Sequence, residues 1–188
     1  MTLRGFKDRD AATLETFAGT CGRMSQRLVT SEAVCRGWQL TAIDVRKAFL
    51  KGVSYAELSR ATNEPQRNVC FELDGDAVEV LQALPGYKDF DPDYEVLEML
   101  KPGTGCKDAP RCWAIQLSKA TNDEFGCKPT THDEQLIVRH RHGQLDCIGS
   151  KHVDDIKLGS DSNVLKQFID CLETLSERES WRSPHIIS

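Results

Sequence analysis

His152-Val153-Asp154-Asp155-Ile156-Lys157-Leu158 sets two adjacent carboxylates between apolar neighbours. One strand reaches Val153, and a second begins at Ile156, so the pair falls at the tip of a hairpin. Further upstream, Ala42-Ile43-Asp44-Val45-Arg46-Lys47-Ala48-Phe49-Leu50 carries a single carboxylate inside an otherwise strand-like run. Alternation over 38–45 puts Trp38, Leu40, Ala42 and Asp44 on one face and Gln39, Thr41, Ile43 and Val45 on the other. Burying carboxylates in such surroundings is costly unless something positive neutralises them. A pair of divalent cations does so in sites that handle phosphates. Taken alone, an Asp-Asp pair is more often a solvated turn.

A third stretch lies between these two: Gly105-Cys106-Lys107-Asp108-Ala109-Pro110-Arg111-Cys112-Trp113. It is not a P-loop, which needs Gly directly before the Lys and Ser or Thr after it. Asp108 can cap a helix over 109–124, with Pro110 tolerated in the first turn and Trp113, Leu117 and Ala120 on one face. Around these stretches the pattern predicts a helix over 25–35, with Met24, Leu28 and Cys35 on one face and Gly37 as its stop. It also predicts a strand end at 3–6, a short helix at 55–60, and strands at 68–73, 95–100 and 135–139. A last helix begins at a Ser162 cap, with Val164, Phe168 and Leu172 on one side. Helices mixed with antiparallel strands imply an α+β domain with helices on one face of a sheet.

Composition sets the bounds. The 188 residues suffice for one domain with a real core. No apolar run approaches a membrane span, and the charged N-terminus has no secretory h-region. The expectation is an intracellular protein, cytoplasmic or nuclear, without a membrane partner. None of the eight cysteines is spaced Cys-x-x-Cys, which argues against a zinc ribbon and for free thiols that act partly as small core hydrophobes. A net charge of −5 runs against the basic surface that phosphate-backbone binding normally uses. A carboxylate-built metal site is locally acidic, however.

In this order, the three stretches resemble the reverse transcriptase domain of Ty1/copia-type retrotransposons. That family reads Asp-Val-Lys-Asn-Ala-Phe-Leu, Tyr-Gly-Leu-Lys-Gln-Ala-Pro-Arg-x-Trp and Tyr-Val-Asp-Asp-Ile. Leu3-Arg4-Gly5-Phe6, Glu15-Thr16-Phe17-Ala18 and Gly37-Trp38 echo further family segments. The resemblance covers roughly residues 3–175. It implies a fingers–palm fold over 3–177 followed by an irregular tail at 178–188. It also implies RNA-directed DNA polymerase activity by two-metal nucleotidyl transfer.

On this resemblance Asp44, Asp154 and Asp155 are the catalytic carboxylates and hold two Mg²⁺ ions, or Mn²⁺ in their place. Phe49 is a steric gate against the ribose 2′-hydroxyl, although its pattern alone reads as a core aromatic. Arg46 and Lys47 face the triphosphate or are simply solvated. Gly105 admits the template–nucleotide pair, and Lys107 and Arg111 contact phosphates. The partners implied are an RNA or DNA template–primer, dNTPs, and the integrase and RNase H segments of a Pol polyprotein.

Several positions depart from the family pattern. His152 replaces Tyr, Cys106 replaces Leu, and Asp108 replaces Gln. Gly149 and Lys151 interrupt a strand that is apolar in the family. By comparison with the family the chain is expected to be truncated at both ends, without upstream basic residues, thumb, connection or RNase H. A catalytically inactive remnant that binds nucleic acid or protein is therefore the alternative. A Mg²⁺-dependent phosphodiesterase ranks last, since no His or Lys is placed as its general acid.

Overall fold

The computed structural model describes residues 5–10, 12–177 and 185–187. The strand end expected at 3–6 lies partly outside them, and Gly5–Lys7 forms a 3₁₀ turn. The chain makes two compact units, one from Met1–Val53 with Gly103–Ser180 and one from Ser54–Pro102 with Trp181–Ser188.

The larger unit is built on a five-stranded antiparallel sheet in the order β1-β7-β6-β5-β4. Its strands are β1 (Gln39–Asp44), β4 (Lys128–Pro129), β5 (Leu136–Arg141), β6 (Gln144–His152) and β7 (Asp155–Ser160). Three helices accompany it: α1 (Arg23–Arg36), α4 (Ala109–Ser118), which continues as a π-helical segment Lys119–Glu124, and α5 (Ser162–Glu177). Cys147 packs in a core with Trp113 and Leu117 of α4 and Phe168 of α5. Its neighbour Ile148 packs in a second core with Val29 of α1. Adjacent strand residues point to opposite faces, so helices cover both faces of the sheet. This corrects the expectation of helices on one face only. Burial explains it: Cys147 through Lys151 are all buried, as a strand sandwiched between two layers requires.

The expected apolar face of α1 is also corrected. Met24 is 74% exposed and Leu28 46%, and Cys35 is exposed, while Val29 and Ala33 face the sheet. Gly37 does end this helix, in the left-handed conformation at φ 66° with its N–H on the Val34 carbonyl. At the other end Asp133, remote in sequence, accepts from the Gly22 amide at 2.8 Å. Partial burial works against its ionised form, but hydrogen bonds from Ser25, Gly22 and Gln135 hold the Asp133 carboxyl at about 2.

Two expected caps differ. Asp108 occupies the N-cap position of α4 without capping through its side chain. Asp161, not Ser162, caps α5, its Oδ1 accepting from the amides of Asn163 and Val164. The unexpected Gly149 and Lys151 are accommodated. A Cβ at Gly149 would sit 3.0 Å from Leu158 and 3.2 Å from the Lys157 carbonyl. Lys151 is buried and its Nζ reaches Ser118 Oγ at 3.2 Å.

In the smaller unit, β2 (Val69–Phe71), β3 (Val96–Met99) and β8 (His185–Ile187) form a three-stranded antiparallel sheet in that order. α2 (Tyr55–Thr62) opens on a capping box between Ser54 and Glu57. α3 (Gly75–Gln82), which the sequence pattern did not predict, is capped by Asp74. Val78, Leu81, Phe90 and Leu97 form its core. The strand β8 lies in the stretch expected to be irregular. No described helix is long and apolar enough to cross a membrane.

Candidate carboxylate site

The β1–β7 register brings Asp44 directly opposite Asp155. Directly opposed residues hold their Cβ atoms about 4.5–5.5 Å apart, and like charges at such positions repel. Neither carboxylate, nor that of Asp154, has an ion-pair partner among the described residues. Asp44 and Asp155 are exposed and Asp154 is half-buried. The inference from costly burial is thereby corrected: what sets Asp44 and Asp155 apart is their opposition, not their desolvation. Hard oxygen donors in this arrangement suit a divalent cation that takes its remaining ligands from water or phosphate. Among the described residues, no group of three or more His, Cys, Asp or Glu side chains comes together to hold a metal.

The hairpin tip is built tightly. His152 pairs with Asp155, leaving Val153 and Asp154 as a two-residue loop. Val153 adopts φ 54°, a left-handed conformation that a β-branched residue rarely takes. Two hydrogen bonds hold it there. Trp113 Nε1 donates to the Val153 carbonyl at 2.8 Å, and the Val45 amide donates to the Asp154 carbonyl at 3.2 Å. The tip is therefore tied to α4 on one side and to the strand carrying Asp44 on the other. Sequence reading gave Trp113 a packing role only. The available signal was that a buried indole N–H needs an acceptor.

The other expected site residues fall around this hairpin. Arg46 and Lys47 are exposed in the turn after β1, with Lys47 at φ 54°. Phe49 lies in the 3₁₀ turn Ala48–Lys51, half-buried against the main core. That turn packs on α4: the Val53 amide donates to the Cys112 carbonyl at 3.2 Å, and a Cβ at Gly52 would sit 3.0 Å from the Cys112 backbone. Gly105 has φ 99°, and its carbonyl accepts from the Gly5 amide at 3.2 Å. A side chain at Gly5 would run into that carbonyl. Lys107 is exposed, whereas Arg111 pairs with Glu15 at 3.2 Å. The structure thus joins the segment around Asp44, the 105–113 segment and the hairpin within one unit.

These features define a mixed α/β protein whose antiparallel sheet presents two opposed carboxylates beside a strained hairpin tip. Along nearly its whole length the chain is similar to part of two retrotransposon proteins of Arabidopsis thaliana. It is 29% identical over 175 residues to the retrovirus-related Pol polyprotein from transposon RE2, covering 92% of this chain. It is likewise 29% identical over 182 residues to that from transposon RE1, covering 96%. The chain spans only about a tenth of each relative, 10% and 11% of their lengths. No family model and no solved structure matches it.

Proposed function

We infer that this chain is the polymerase segment of a retroelement Pol polyprotein, an RNA-directed DNA polymerase domain acting on a template–primer and dNTPs. The observation that carries this reading is Asp44 facing Asp155 across adjacent strands, neither with an ion-pair partner among the described residues. A fold tolerates two opposed carboxylates most readily where a bound divalent cation offsets their repulsion. Asp44, Asp155 and Asp154 would hold Mg²⁺ or Mn²⁺. Bound there, the ions supply Lewis-acid activation of a primer 3′-hydroxyl and neutralise charge on the departing pyrophosphate.

The remaining roles belong to the chain's own side chains. Phe49 is anchored on the core beside the Asp44 strand, a fixed ring suited to excluding a ribose 2′-hydroxyl. Arg46, Lys47 and Lys107 are exposed cations available to phosphate. Arg111 is available only if Glu15 yields it. Much of the rate enhancement in such a reaction comes from fixing the hydroxyl against the phosphorus. The restraints that Trp113 and Val45 place on the hairpin serve that positioning.

A second reading, a non-catalytic relative of such a domain, draws on one observation: the three carboxylates do not assemble into one ligand group. Primer extension on an RNA template with Mg²⁺ and dNTPs separates the two. Extension by the wild type that Asp154→Asn abolishes supports the polymerase. A folded wild type that adds no nucleotide overturns it.

A further inference from the structure

A second feature lies on the face of the sheet that carries the opposed carboxylates. Between α1 and β7 the surface forms a shallow, open groove of about 420 Å³ lined by Arg23, Gln26, Arg27, Thr30, Ser31 and Lys157. Arg23, Arg27, Thr30 and Ser31 recur at helical spacing and form one polar stripe along α1. Val29 and Ala33, on another side of the same helix, hold it to the sheet. Lys157 rises from β7 to meet the stripe.

We propose that this open groove is a binding site for the phosphodiester backbone of a nucleic-acid strand. Three cations and no carboxylate line it, in a chain whose net charge is −5. Such a cluster of one sign raises the local concentration of the opposite ion. None of the three cations is engaged in an ion pair among the described residues. Two polar neighbours are already committed: Gln26 donates to the Cys21 carbonyl at 2.9 Å, and Thr30 to the Gln26 carbonyl at 3.1 Å. The cations are therefore the groups left to bind a ligand, and the ligand is an anion.

Position identifies which anion. Lys157 and Asp155 lie two residues apart on β7 and share a face, which places them about 6–7 Å from each other along the strand. The cationic groove thus lies beside the carboxylate pair. A strand whose end reaches Asp44 and Asp155 has its backbone within reach of Lys157 and the α1 stripe. Naming the occupant as nucleic acid rests on the polymerase reading of the neighbouring site. The cation cluster itself does not.

The test is the salt dependence of binding between the full chain and a fluorescein-labelled RNA–DNA primer–template, followed by anisotropy. Each phosphate contact contributes about 0.7–0.9 to the slope of log K against log salt. The triple variant Arg23→Gln, Arg27→Gln, Lys157→Gln is expected to lower that slope by about 2–3, and Arg27→Gln alone by about 0.7–0.9. A charge-matched control at exposed positions elsewhere, Lys88→Gln, Lys128→Gln, Lys166→Gln, leaves the slope unchanged. No measurable binding by the wild type, an unchanged slope in the triple variant, or an equal loss in the control overturns the proposal. Primer extension on the same samples keeps the two ideas apart. A slope that falls as expected in a wild-type background that never extends primer removes the polymerase and leaves the phosphate site standing.

Discussion

Trp113 donates its indole N–H to the carbonyl of Val153, 2.8 Å away and 40 residues on in sequence. Trp113 is fully buried in α4, while Val153 sits at the carboxylate hairpin in a left-handed conformation. One hydrogen bond therefore couples the 105–113 stretch to the loop that presents Asp154 and Asp155. A β-branched residue held in the left-handed region stores about 1–2 kcal/mol of strain, which a net hydrogen bond of about 1 kcal/mol can largely offset.

Trp113→Phe keeps an aromatic ring in the core and removes the donor. It should cost about 1–3 kcal/mol of stability, because the Val153 carbonyl loses its partner. Val153→Gly should leave stability at or above that of the wild type, since glycine takes positive φ freely. Chemical denaturation of both variants checks this. A Trp113→Phe variant as stable as the wild type would show that the bond does not hold the tip.

Lys151 gives a pH signature. Desolvation by burial pushes its ammonium below the ordinary lysine value. The unfolded chain therefore binds more protons than the folded one between the lowered value and about 10.4. Stability from this group rises with pH through that window and is independent of pH on either side of it. Lys151→Met should stabilise the protein by about 1–3 kcal/mol at neutral pH and abolish the rise. Thermal melts from pH 7 to alkaline pH measure it, and an unchanged pH profile would contradict the assignment.

Sequence pattern made the motif geometry legible and the layering not. β1, β5, α4 and α5 follow from alternation and helical spacing, and the face of β1 that carries Leu40, Ala42 and Asp44 is the exposed one. The layer formed by α1 was misread because its core contacts are Val29 and Ala33, small residues with little periodic signal, while the larger Met24 and Leu28 face out. α3 was missed although Asp74 caps it, because its apolar residues Val78 and Leu81 form too short a stripe. In the site, adjacency along the chain could not tell that Asp155, rather than Asp154, stands opposite Asp44. That depends on a register set by the whole of β1 and β7. The cation cluster of Arg23, Arg27 and Lys157 was equally invisible, since Lys157 lies 130 residues from Arg27 in sequence.

Arg139 shows a different kind of dependence. It is buried, pairs with Asp146 through Nε and Nη2 at 3.0 Å each, donates to the Phe125 carbonyl at 3.1 Å, and stacks on the Phe125 ring at 3.7 Å. Asp146→Ala strands that guanidinium in the interior and should cost about 3–5 kcal/mol. Urea denaturation checks it. A loss below about 1 kcal/mol would mean the pair behaves as an exposed one.

The most direct measurement is thermal stability with and without Mg²⁺ in the wild type, Asp44→Asn and Asp155→Asn. Opposed like charges that a cation neutralises predict that Mg²⁺ raises the wild-type Tm, because a ligand that binds only the native state stabilises it. Each single variant should melt higher than the wild type without Mg²⁺, by relief of about 0.2–1 kcal/mol of repulsion, and should lose the response to Mg²⁺. A wild-type Tm indifferent to Mg²⁺, or an equal rise in all three proteins, would contradict a cation site at Asp44 and Asp155.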